Sequence, residues 1–93
     1  MTPQRYQPEL FAQLEAILLI SDEPITVEQL LKVTDADPRE IEDTLQAIQR
    51  DYDGETGGRA RGFQLRHVAG GWRLYTRADH ADVIARFMVH GAT

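Results

Sequence analysis

Two stretches of alternating apolar residues, Phe63 to Ala69 and Trp72 to Thr76, meet at the dipeptide Gly70-Gly71. A two-residue Gly-Gly loop can take positive φ at both positions, which a tight type I′ hairpin requires. Pairing Ala69 with Trp72 puts Phe63, Leu65, His67, Trp72, Leu74 and Thr76 on one face of the hairpin. Gln64, Arg66, Val68, Arg73, Tyr75 and Arg77 fall on the other. The first face reads as core, with His67 a partly buried, hydrogen-bonded imidazole; the second reads as solvated and basic.

Helical signals precede the hairpin. Pro8-Glu9 opens a first helix, with proline in the first turn and an acid complementing the macrodipole. Leu10, Phe11, Leu14, Ile17 and Leu18 trace a stripe at helical spacing, and Ala16 to Ile20 is apolar all the way round. One core covers one face, so that surplus calls for a second covering partner, either the centre of a single domain or a second subunit. The helix ends near Ser21-Asp22-Glu23-Pro24. Thr26 and Gln29 form a capping box for a short second helix with Val27, Leu30, Leu31 and Val33 as apolar positions. Asp37-Pro38-Arg39-Glu40 starts a third, whose Ile41, Leu45, Ile48 and Tyr52 face the core while Arg39, Asp43, Gln46, Ala47 and Arg50 face outward.

Asp53 to Gly62 is a polar, glycine-rich loop. Beyond the hairpin, Thr76 and Asp79 read as the cap of a last helix with Val83, Ile84, Phe87 and Met88 as buried positions, ended by Gly91. Three helices, a two-stranded wing and a C-terminal helix make a mostly helical α+β chain of the winged-helix type. Its 93 residues suit one domain, residues 1–93, with a core from about 8 to 90.

Composition removes several functions. The chain has no cysteine, hence no disulfide, no thiolate nucleophile and no Cys-ligated zinc. Its longest apolar run has five residues, against the roughly 20 of a membrane span. The opening Met1-Thr2-Pro3-Gln4-Arg5 lacks the apolar stretch of a signal peptide, which predicts a cytoplasmic protein. Ser21 is the only serine, with no histidine near it. His80 and His90 are too far apart for a helical metal pair, and the paired glycines lack a phosphate-binding context. Nothing here supports an enzyme, a metal or a cofactor.

Charge is uneven. Residues 1–53 hold four basic and twelve acidic side chains, and residues 54–93 six arginines and three acids. Arg61, Arg66, Arg73 and Arg77 with Tyr75 make a candidate nucleic-acid surface on the wing. The alternative is that these arginines guard a solvated strand face against edge pairing. From Arg39 to Asp51 the third helix carries two basic and four acidic residues, a poor match to phosphates if that helix were to enter a groove.

Leu14-Glu15-Ala16-Ile17-Leu18-Leu19-Ile20-Ser21-Asp22-Glu23-Pro24-Ile25-Thr26 resembles the opening motif of the bacterial segregation and condensation protein B family. The hairpin from Gly62 to Arg77, with its Val68-Ala69-Gly70-Gly71-Trp72 centre, is similar to that family's second motif. Together they frame the chain from about Leu10 to Met88. The resemblance implies the first of two winged-helix domains of a longer, non-enzymatic subunit of the bacterial condensin. It implies a homodimer, formed mainly through this domain, that binds the kleisin subunit ScpA and through it the SMC ATPase, in the cytoplasm at the nucleoid. The dimer-contact residues it suggests are Leu14, Ile17, Leu18 and Ile20. Two positions depart from the family: Ala78 stands where a proline is usual, and His80 where an aromatic is common. The competing expectation is a winged-helix transcriptional regulator that binds DNA through the arginine wing.

Overall fold

The computed structural model describes residues 7–91. The opening segment Met1 to Arg5 lies outside the described residues. Helix α1 spans Pro8–Ile20, α2 Val27–Leu31 and α3 Pro38–Tyr52. Strands β1 (Phe63–Val68) and β2 (Gly71–Thr76) form the antiparallel wing. A 3-10 turn, Ala78–His80, leads into α4, Ala81–His90. This is the winged-helix order.

Local sequence explains most of these boundaries. Thr26 accepts from Gln29 N at 3.1 Å while Gln29 returns a bond to Thr26 N, so the capping box is complete. Asp37 and Glu40 make the same reciprocal pair at 2.8 Å in each direction, with Pro38 at the first helical position. Each box satisfies two amides that the helix itself cannot. Val33 departs from expectation. Helix α2 closes at Leu31, and Val33 falls in the following turn at 68% exposure.

The core forms where α1, α2, α3 and the wing meet. Leu14, Leu18, Leu30, Ile41, Leu45, Ile48 and Leu65 are almost wholly enclosed, with Leu10, Ile25, Tyr52 and Trp72 around them. The i, i+4, i+7, i+11 series on α3 is buried as its spacing predicts. The link after α1 joins the sheet edge: Ile25 and Trp72 exchange two backbone hydrogen bonds at 2.8 Å.

The hairpin keeps its expected faces but shifts its register by two residues. His67 lies opposite Trp72 and Phe63 opposite Thr76, which leaves Ala69-Gly70 as the loop. Ala69 (φ 51) and Gly70 (φ 80) supply the two positive φ values. Gly71 serves another purpose. A Cβ there would sit 2.8 Å from Pro24 Cβ and 3.0 Å from the Pro24 carbonyl carbon. Glycine at 71 therefore admits the α1–α2 link against the sheet, and the turn moves back by one residue. A slip of two leaves each side chain on its original face.

Two further expectations are corrected. Of the face expected to be core only Leu65 and Trp72 are buried: Phe63 and Thr76 are exposed, and so is His67, which lies stacked on the Trp72 ring at 4.7 Å and is not a core histidine. Thr76 does not cap the last helix, which begins behind a 3-10 turn with no side-chain cap. Nor is that helix buried: Val83, Phe87, Met88 and Val89 are each more than half exposed, and α4 packs chiefly on its own 3-10 turn.

Candidate protein-binding surfaces

The arginines of the wing divide into two groups. Arg77 Nε donates to the Arg61 carbonyl at 2.6 Å, and its Nη2 donates to the Tyr52 carbonyl at 2.9 Å and to Asp53 at 2.7 Å. Arg61 donates from Nη1 to the Asp51 carbonyl at 2.8 Å and from Nη2 to the Asp51 carboxylate at 3.2 Å. Both side chains therefore sit at the C-terminal end of α3, where the last carbonyls of the helix and the negative end of its dipole favour a cation. They tie the wing to the helix, and their donors are already engaged. The expectation that Arg61 and Arg77 belong to an open nucleic-acid surface is corrected accordingly.

Arg66, Arg73 and Tyr75 stay on the outer face. Arg66 and Arg73 are directly opposed across the strands, a like-charge pairing that is unfavourable by itself. The Tyr75 ring offsets it, with the guanidinium carbons at 5.7 and 5.2 Å from its centroid. Arg73 Nε is buried without a hydrogen-bond partner. On α3, Arg39 pairs with Asp43 on the outer face at 3.7 Å, which lowers the cationic character of the helix a groove would have to accept.

Helix α1 is the more distinctive surface. Leu14 and Leu18 are 0% and 1% exposed. Both belong to the domain's own core, and Leu18 also lines the groove between α1 and the wing. The 100° turn per residue that carries Leu14 and Leu18 inward carries their neighbours outward. Ile17 is half-buried, while Leu19 and Ile20 are 77% and 83% exposed. Ala12, Ala16 and Leu19, at i, i+4 and i+7, form an outer stripe beside the hairpin. With Phe63, Leu74 and Tyr75 they line an open groove between α1 and the wing. At its floor the Tyr52 hydroxyl donates to the Glu15 carboxylate. Burial, with that bond and the carboxylate charge added, holds the Tyr52 phenol well above its ordinary range.

Leu19, exposed beside Ile20, is not among the four residues that the resemblance suggests. Its signal was available in the all-round apolar run, but periodicity alone does not say which side of such a run faces the core. Among the described residues, no helix is long and apolar enough to cross a membrane.

These features define a winged-helix domain with an acidic third helix, a wing bound down by two arginines, and apolar side chains left outside the core at both ends. A family model described as "Segregation and condensation complex subunit ScpB" matches residues 12–93. The chain belongs to that family. It is 35% identical over 75 residues to segregation and condensation protein B of Symbiobacterium thermophilum, covering 81% of this chain and 32% of that protein. With the Syntrophotalea carbinolica protein of the same name it shares 36% over 78 residues, or 84% and 38%. The chain thus spans about a third of the length of these relatives. The crystal structure of ScpB from Mycobacterium tuberculosis superposes with a TM-score of 0.81 at 32% identity, covering 97% of this chain and 54% of that one. A dimer of a ScpB N-terminal domain complexed with ScpA peptide gives 0.76 at 26% identity, covering 86% and 95%.

Proposed function

We propose that this chain is the first of two winged-helix domains of a non-enzymatic scaffold subunit in the bacterial SMC–kleisin condensin. In this reading it works as a homodimer in the cytoplasm, at the nucleoid, in chromosome condensation and segregation. The observation that carries the reading is the near-complete match to a ScpB N-terminal domain that is itself a dimer with ScpA peptide bound. The partners that follow are a second copy, a ScpA-type kleisin segment and, through the kleisin, the SMC ATPase. The apolar residues outside the core support the dimer. On α1 the apolar side chains that lie outside the core are Leu19 and Ile20, with Ile17 half-buried beside them. Contact with DNA is indirect or weak, because of the five wing residues only Arg66, Arg73 and Tyr75 retain an open face.

Sedimentation velocity with a short DNA duplex at low salt tests this. A protein species near twice the 10.6 kDa chain mass, with the duplex sedimenting alone, is the expected result. A monomer overturns the dimer. A duplex carried down by the protein, and released steeply by added salt, overturns the scaffold reading in favour of a DNA-binding regulator.

A further inference from the structure

Helix α4 has an amphipathic face, Val83, Ile84, Phe87 and Met88, of which its own domain half-buries Ile84 and leaves the other three more than half exposed. None of its ten residues is buried, and its contacts are chiefly with the 3-10 turn before it. A helix of that length is only marginally stable in water without tertiary packing. The described residues are correspondingly extended, with a radius of gyration of 15.1 Å, against about 12 Å for a compact domain of this length.

The same molecule carries an apolar groove of complementary character. Ala12 and Ala16 give α1 a flat outer surface, and Leu19, Phe63 and Leu74 form its apolar walls. Small residues at i and i+4 let a second helix come close, within the usual interaxial distance of roughly 8–10 Å. Leu19, Ile20, Val83, Phe87, Met88 and Val89 are all more than half exposed. Of these, Leu19, Val83, Phe87 and Met88 belong to the groove or to the α4 face, and with Phe63 they leave on the order of 500 Å² bare, more than half of the roughly 800 Å² one partner gives a standard interface.

We propose that α4 is an exchanged arm: in the homodimer, each copy lays its Val83, Ile84, Phe87 and Met88 face into the other copy's groove between α1 and the wing. This rests on the dimer reading above and specifies how the dimer is built. Three observations favour a second copy as the occupant. The arm and the groove both belong to this chain, so a two-fold axis satisfies both at once. The bare area on the arm and in the groove supplies more than half of one side of a standard interface. A related N-terminal domain of nearly the same extent is a dimer.

The absence of cysteine makes the test clean. Chains carrying A16C and F87C, distinguished by a small mass tag, are refolded together and oxidised mildly. The expected product is a disulfide-linked A16C–F87C heterodimer, shifted to twice the single-chain mass under non-reducing conditions. F87C chains linking only to one another would mean that α4 pairs with α4, which overturns the exchange. An A16C/F87C double variant that closes within a single chain at high dilution would mean that the arm folds back on its own groove, again overturning it. A dimer by sedimentation with no A16C–F87C link overturns the arm and leaves the dimer standing; a monomer overturns both. F87E, which disturbs no core residue, is expected to keep its helical circular dichroism and sediment as a monomer.

Discussion

Arg77 fastens the wing to α3 through three hydrogen bonds, two to main-chain carbonyls and one to the Asp53 carboxylate. Removing a charged donor from such a site costs about 1.5–3 kcal/mol. R77M is therefore expected to lower the unfolding free energy by about 2 kcal/mol in a urea titration. R66A, on the exposed strand face, is expected to stay within about 0.5 kcal/mol of the parent. Tyr52 makes a second prediction at this scale. Burial and the Glu15 carboxylate raise its pKa in the folded chain, so the native state holds the phenol proton more tightly than the unfolded state does. That contribution is complete below the ordinary phenol pKa of about 10 and is lost as pH rises beyond it. Stability should accordingly fall above pH ~10. Y52F should flatten that alkaline decline, as read from urea midpoints across the pH series.

The division of α1 into an inner and an outer apolar face is the main finding at the level of elements. It decides the outcome of two substitutions. L18E would place a charge at a position 1% exposed among Leu14, Leu45 and Ile48, where an unpaired carboxylate cannot be accommodated. The variant is expected to be unfolded by circular dichroism rather than a folded monomer. I20E, at 83% exposure, is expected to keep the fold and to weaken self-association in sedimentation. The wing makes a related point. Gly70-Gly71 correctly signalled the hairpin and its faces, yet Gly71 proved to be needed for the approach of Pro24 and Ile25 and Ala69 took the turn. That contact joins residues nearly fifty positions apart, so local turn chemistry could not reveal it.

For the molecule as a whole, apolar surface left uncovered at α1 and α4 couples stability to association. A dimer that buries those side chains should melt at a temperature that rises with protein concentration. Thermal scans over a hundredfold concentration range check this, and a concentration-independent midpoint would contradict it. Most elements are legible in the sequence, because caps, prolines and periodicity act within four or five residues of one another. Asp37-Pro38 with Glu40, Thr26 with Gln29, and the Ile41, Leu45, Ile48, Tyr52 series were legible in this way. Only the tertiary structure decided what each apolar face touches. Leu14 and Leu18 went to the domain's own core, Leu19 and Ile20 to its surface, Arg61 and Arg77 to the carbonyls of α3. The face of α4 remained largely uncovered. The reason is physical: an amphipathic pattern specifies that a face must be removed from water, but which surface covers it depends on chain geometry over distances that periodicity does not encode.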